Sequence, residues 1–145
     1  VHDPALVAHL RTVWERWVEA GFPVEPGQDR VVPYLIPSAG MLDGLPEREP
    51  TAVHAAAGRW CYDTMTLVGP GTWEAARAAV DVTLTAVDAV VGGEALAYAL
   101  VRPPGHHVTR SAYGGPCYLN NAGIAAQALR DAGHDVAMFR LDKRP

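Results

Sequence analysis

Two apolar runs, residues 95–101 and 136–139, bracket a long loop and a helical segment, and few chain topologies accommodate that order. The first run, Ala95-Leu-Ala-Tyr-Ala-Leu-Val101, is apolar at every position but Tyr98, the pattern of a parallel strand buried on both faces. Asn120 or Asn121 can cap a helix that continues to about Ala132, and Gly133 can stop it. Val136-Ala-Met-Phe139 then reads as a second strand. Strand, loop, helix and strand in that order predict a βαβ unit with parallel strands and a right-handed crossover. Ligands of such sheets bind beyond the carboxyl ends of the strands. That rule brings His106 and His107, which follow the first strand, beside Asp142, which follows the second.

The loop itself carries chemistry. Arg102-Pro-Pro-Gly-His-His107 sets two adjacent imidazoles behind a stiff corner, because proline restricts φ and glycine permits a sharp reversal. Neutral histidine takes or gives a proton near physiological pH, and two rings together can divide those roles. Taken alone, the pair reads equally well as a structural turn.

The longer string does not. Arg102-Pro-Pro-Gly-His-His107 is followed by Gly114-Gly-Pro-Cys-Tyr-Leu-Asn-Asn121 and Ile124-Ala-Ala-Gln127, and preceded by Tyr62-Asp63, Thr66 and Gly71-Thr-Trp-Glu-Ala-Ala76. This set resembles the zinc-dependent deacetylase superfamily, which includes the histone deacetylases and the bacterial acetylpolyamine amidohydrolases. Its Gly-Thr-Trp and Leu-Asn-Asn-Ala wording is nearer the acetylpolyamine and class II branch, and a fainter similarity reaches back to Val1-His2. The resemblance implies an α/β, three-layer arginase–deacetylase-like fold with a parallel sheet, incomplete in this chain, so that residues 1–145 form one domain, the N-terminal part of a deacetylase domain. It also implies zinc-dependent removal of acetyl groups from acetyl-lysine or acetylpolyamines. His106 and His107 would be the general base and its acid or electrostatic partner, in an order the sequence does not assign. Asp63 would contact substrate at the channel entrance, the Gly115 backbone would line the acetamide pocket, and Cys117 would line the site.

Three positions depart from the family pattern. Its next motif is Asp-x-Asp-x-His, which here reads Arg140-Leu-Asp142-Lys-Arg144. Asp142 matches a metal-binding aspartate. Arg140 stands where a carboxylate would support an imidazole, and Arg144 stands where a metal-binding histidine belongs. A guanidinium stays protonated and cannot donate a lone pair to zinc. One carboxylate is not a catalytic zinc site, which uses three protein ligands and an open position. Pro116 replaces the aromatic residue that usually walls the acyl channel, giving a smaller, flatter wall. These departures imply that the 145-residue chain alone is inactive, as a truncated or diverged enzyme, a catalytically dead binding module, or a fragment without independent function.

Elsewhere the chain reads more plainly. Asp3-Pro4 opens a helix that carries Leu6, Leu10, Val13 and Trp17 on one face and closes at Gly21. Residues 22–58 are rich in Pro and Gly and predict an irregular segment, with a short helix near 52–57. Thr72 begins the longest helix, with Trp73, Ala76, Val80, Leu84, Val87 and Val91 as its apolar stripe. A net charge of −4 with no basic run argues against direct nucleic-acid binding. No apolar run reaches membrane-spanning length. Cys61 and Cys117 lack Cys-x-x-Cys spacing and suit a reducing, cytoplasmic setting as buried thiols. An incomplete parallel sheet would leave an apolar face uncovered, which favours self-association into a homo-oligomer.

Overall fold

The computed structural model describes residues 1–24, 27, 29–37, 39–46 and 48–141. Its helices are α1 (Pro4–Glu19), α2 (Ala39–Leu42), α3 (Val53–Trp60), α4 (Thr72–Val91) and α5 (Asn121–Asp131), with a single 3₁₀ turn at Phe22–Val24. In α1, the Asp3 carboxylate accepts the Ala5 N–H at 2.8 Å, which satisfies a donor left open by the first turn, and Pro4 follows where no donor is needed. Leu6, Leu10, Val13 and Trp17 are buried, as their spacing predicts, and His9 joins them on that face. The short helix expected near 52–57 is α3, which packs on α1. A Cβ at Gly58 would overlap the Leu35 carbonyl, so only glycine lets the loop pass this close to α3.

Helix α4 starts after Gly71, whose φ of 75° is left-handed, and the Thr72 hydroxyl accepts the Gly69 N–H at 2.9 Å. Its buried face is Ala76, Ala79, Val80, Thr83 and Val87. Trp73 and Leu84 are only partly buried against the core, and Val91 is exposed. The stripe is therefore narrower than its periodicity suggests, and α4 packs against α5. The main core gathers α1, α3 and the loops: Leu6, Leu10, Val13, Trp17, Val31, Trp60, Val68, Tyr113 and Cys117.

The two expected strands are not formed. Among the described residues there is no regular strand, only isolated bridges pairing Val31 with Val68, Cys61 with Tyr113 and Gly114 with Cys117. Along 95–101, Leu96, Tyr98 and Leu100 are exposed, whereas Ala97, Ala99 and Val101 are half-buried. Met138 and Phe139 are exposed as well. The alternation shows one side shielded and the other bare. A strand exists only as part of a ladder, and a doubly buried one also needs a covering layer on each face. The described residues supply neither to these runs. Irregular structure across 22–58 is interrupted by the 3₁₀ turn, α2 and the start of α3. No helix among the described residues is long and apolar enough to cross a membrane.

Candidate functional site

The loop from Arg102 to Asn120 has no regular secondary structure, so its backbone polar groups must find partners singly. Some are other backbone groups, as in the mutual pairing of Gly114 with Cys117, and others are distant side chains. Asn121, 4% exposed at the start of α5, donates its Nδ2 to the carbonyls of Pro103 and Pro104, both at 3.0 Å. Its Oδ1 is buried without a hydrogen bond. The Cys117 Sγ accepts the Gly105 N–H at 3.2 Å. Tyr62 Oη donates to the His107 carbonyl at 3.0 Å, and Asn120 Nδ2 donates to the Val108 carbonyl at 2.9 Å. Asn120 also caps α5 through its Oδ1, which accepts the Gly123 N–H at 2.9 Å.

The last brace comes from the other end of the chain. His2 Nδ1 lies 3.0 Å from the Thr109 carbonyl, and His2 Nε2 accepts the Asn120 N–H at 2.9 Å. A carbonyl only accepts and an N–H only donates, so this ring must be neutral with its proton on Nδ1. Burial pushes its pKa below the ordinary value, and the bond to Thr109 partly opposes that.

The braced loop presents the histidine pair. The rings of His106 and His107 are 4.4 Å apart between centroids and tilted by 51°, and both are half-buried. Gly105 turns the chain into them with φ of 98°, where a Cβ would come within 2.7 Å of the Asn121 nitrogen. Gly115 has φ of 57°, and a Cβ there would sit 2.6 Å from His107 Cγ. The bare Gly115 backbone therefore forms the surface under the His107 ring.

The remaining expected site residues are placed as follows. Gly115 and the exposed Pro116 line a cleft of about 730 Å³ with Arg102, Pro103, Pro104 and Tyr118. Cys117 is fully buried beneath them, held in the loop by the Gly105 contact. Asp63 is turned inward. Its Oδ1 accepts the N–H groups of Met65 at 2.8 Å and Thr66 at 2.7 Å, and its Oδ2 accepts the Thr66 hydroxyl at 3.0 Å and the Gly115 N–H at 2.6 Å. Burial raises its pKa, but these hydrogen bonds outweigh it and hold the carboxyl below its ordinary value. Cys61 is buried with its thiol donated to the Asp63 carbonyl, and burial pushes its pKa up to about 11, the behaviour of a packed thiol and not of a nucleophile.

Asp142 and Arg144 lie outside the described residues. Arg140, two positions before Asp142, is near enough to Tyr62 for its charge to act on the phenol, against the upward push of burial and of Asp63. Among the described residues no three His, Cys, Asp or Glu side chains converge as a metal would require. The donors present do not make a zinc site by themselves.

His2 and Tyr62 are the site residues that sequence reasoning left without a role, and Asn121 is read from sequence only as a candidate helix cap. Tyr62 and the Asn120-Asn121 pair belong to motifs already singled out. His2 reaches a loop 107 positions away, and no local pattern announces that.

A profile of the Histone deacetylase domain matches residues 1–142. The acetylpolyamine amidohydrolase of Mycoplana ramosa is 35% identical over 143 residues, and that of Burkholderia pseudomallei is 39% identical over 142. Each match covers 98% of this chain and 39% of the relative. The chain thus spans about two fifths of the length of these relatives. A crystal structure of the acetylpolyamine aminohydrolase from Burkholderia pseudomallei superposes with a TM-score of 0.74 at 39% identity, covering 91% of this chain and 36% of that one. The match across nearly the whole chain, the superposition, and a histidine pair held in a side-chain-braced loop agree: the chain belongs to the histone deacetylase family.

Proposed function

We propose that this chain supplies the proton-transfer half of a zinc-dependent deacetylase centre acting on small acetylated amines. The observation that carries the reading is the adjacent His106 and His107 rings, held at 4.4 Å on a loop whose backbone is tied down on several sides. One ring takes a proton from the attacking water and the other donates a proton or stabilises the developing charge. Rings fixed in this way need little reorganisation at the moment of reaction, which is where positioned groups gain their effect. Gly115 and Pro116 form the wall along which the acetamide lies, and the low side chain of Pro116 leaves that wall open.

The relatives named for acetylpolyamines favour a small acetylated amine over an acetyl-lysine peptide as substrate. Asp142 would be the metal ligand this segment contributes, and the remaining ligands would have to be supplied from outside the described residues. In the assembled domain, residues 95–101 and 136–139 pair as parallel strands, and their exposed apolar side chains go under a covering layer.

The test compares the 145-residue chain with the complete protein that carries it, each given excess zinc and either an acetylated polyamine or an acetyl-lysine peptide, with acetate quantified. The chain alone gives none. The complete protein releases acetate, faster from the polyamine, and His107→Ala lowers its rate by about 10²–10⁴-fold. An inactive complete protein that still binds zinc stoichiometrically would overturn the reading. A second reading, a binding module without metal, is favoured by the arginines at 140 and 144. A complete protein that takes up no zinc yet binds acetylated polyamine would establish it.

A further inference from the structure

The short segment from Cys61 to Thr66 touches His107 by two independent routes. The first runs through Asp63. Its Oδ2 accepts the Gly115 N–H at 2.6 Å, the shortest of its four hydrogen bonds. The Gly115 backbone in turn lies against the His107 ring, so closely that a Cβ at that position would come within 2.6 Å of Cγ and 2.7 Å of Cδ2. The second route runs through Tyr62. Its hydroxyl donates to the His107 carbonyl at 3.0 Å, while its ring covers Gly114, where a Cβ would collide with it.

The segment is itself anchored. Tyr113 donates its N–H to the Trp60 carbonyl at 2.7 Å, and Tyr62 donates its N–H to the Tyr113 carbonyl at 3.2 Å. The Cys61 thiol donates to the Asp63 carbonyl at 3.0 Å, and Thr66, 1% exposed, donates its N–H to one oxygen of the carboxylate and its hydroxyl to the other. An ionised carboxylate offers about four lone-pair sites, and the Asp63 carboxylate has four donors already. A substrate amine would have to displace one of them.

We infer that Tyr62 and Asp63 are positioning residues for His107, Tyr62 through the backbone of the histidine and Asp63 through the Gly115 peptide beneath its ring. This rests on the reading of His107 as a proton-transfer group. It assigns Asp63 to the inner support of the site and not to its rim. Asp63 holds the Gly114–Gly115 peptide in the orientation that keeps the left-handed Gly115 flat under the imidazole. Tyr62 keeps the histidine backbone from lifting away. The two act on opposite ends of the residue, so each limits a different motion: ring tilt for Asp63, displacement of the loop for Tyr62.

The experiment uses Tyr62→Phe, which removes one hydroxyl and leaves the ring on Gly114, and Asp63→Asn, which keeps the size of the side chain and removes its charge. Thr66→Val is the control, because it removes a second donor from the oxygen that accepts the Gly115 N–H and leaves the carboxylate charge and the Gly115 bond themselves in place. Two readouts are taken. In solution NMR, the Gly115 amide proton and its cross-relaxation with the His107 ring report the geometry whether or not the protein is active. In the complete protein, kcat and KM are measured with an acetylated polyamine.

Asp63→Asn is expected to move the Gly115 amide proton upfield and to weaken its contact with the ring. Both Tyr62→Phe and Asp63→Asn should lower kcat by about tenfold or more with KM within about twofold, since displacement of a catalytic group acts on the transition state. Thr66→Val should leave the Gly115 amide in place. The inference is overturned if Asp63→Asn raises KM and spares kcat, as a rim contact would, or if the Gly115 amide does not move. Tyr62→Phe decides the matter by itself if Asp63→Asn does not fold: unchanged kcat and an unchanged His107 ring environment would refute the brace. A wild type with the expected NMR geometry and no deacetylase activity would instead count against the proposed function, leaving the geometric brace intact.

Discussion

The loop from 102 to 120 and the apolar runs on either side of its helix meet the same demand in different ways. Both must satisfy their backbone and bury what is apolar. The loop has no ladder to join, yet Tyr62, Cys117, Asn120, Asn121 and His2 each take one or more of its polar groups. The runs at 95–101 and 136–139 have strand composition, yet among the described residues they pair with nothing regular and leave Leu96, Tyr98, Leu100 and Phe139 more than 80% exposed. Side-chain bracing needs only a few well-placed residues, and this segment holds them. A doubly covered strand needs neighbours on both edges and layers on both faces. Side chains can therefore order a chemistry-bearing loop beside apolar runs that form no ladder among the described residues.

The largest effects should separate the formed core from the bare runs. Trp17 is fully buried, so Trp17→Ala should cost about 3–5 kcal/mol in denaturant unfolding. Leu100→Ala, at an 82% exposed site, should stay within about 0.5 kcal/mol. A large loss at Leu100 would mean that the runs are already packed in solution and would break the contrast.

Acid should reveal a second difference inside the core. His9 is wedged between Trp60 and Tyr113 with its Nε2 unpartnered, and burial, followed by the Arg16 charge, lowers its pKa to about 4. The unfolded chain, with histidine near 6.5, binds the proton more readily. The stabilisation is therefore present above pH 6.5 and is lost as pH falls toward 4, by about 3 kcal/mol at the acid end. His9→Phe should flatten that acid limb and raise stability at neutral pH by about 1–3 kcal/mol. An unchanged pH profile of unfolding in this variant would show that another group carries the acid sensitivity.

The bracing of the loop should register more modestly. Asn121→Ala strands the Pro103 and Pro104 carbonyls and should cost about 1–3 kcal/mol. Thermal melts and the His106 and His107 ring resonances should both move. A melt that shifts with the ring signals unmoved would detach the loop's support from the geometry of the pair.

The smallest thermodynamic effect should fall on the bare face. Replacing Leu96, Tyr98 and Leu100 with serine should barely alter stability but should reduce concentration-dependent self-association in sedimentation velocity, since exposed contiguous apolar surface is what drives it. Unaltered self-association would place its cause elsewhere.

Much of this architecture could be read from local chemistry. Asp3-Pro4, Gly71-Thr72 and Asn120 start α1, α4 and α5 as expected, because capping depends on residues within one turn. The histidine loop was legible because Pro, Gly and the paired imidazoles are an unusual string. The two apolar runs join no ladder among the described residues, since strand formation is a property of neighbours and not of a run's own composition. The braces were illegible for a related reason. His2 contacts Thr109 and Asn120, and Asp63 contacts Gly115, across more than fifty residues. Only the folded chain brings them together.

Amide hydrogen exchange of the purified 145-residue chain tests the central contrast most directly. The amides of Gly105, Tyr113, Gly115 and Asn120, each donated to an identified acceptor, should be protected to nearly the same degree as the interior of α1. The amides of residues 96–101 and 136–141 should exchange close to the unstructured rate. Equal protection of the two sets would show that the sheet forms without a covering layer. Rapid exchange at Gly105, Gly115 and Asn120 would show that the histidine loop is not held by the side chains assigned to it.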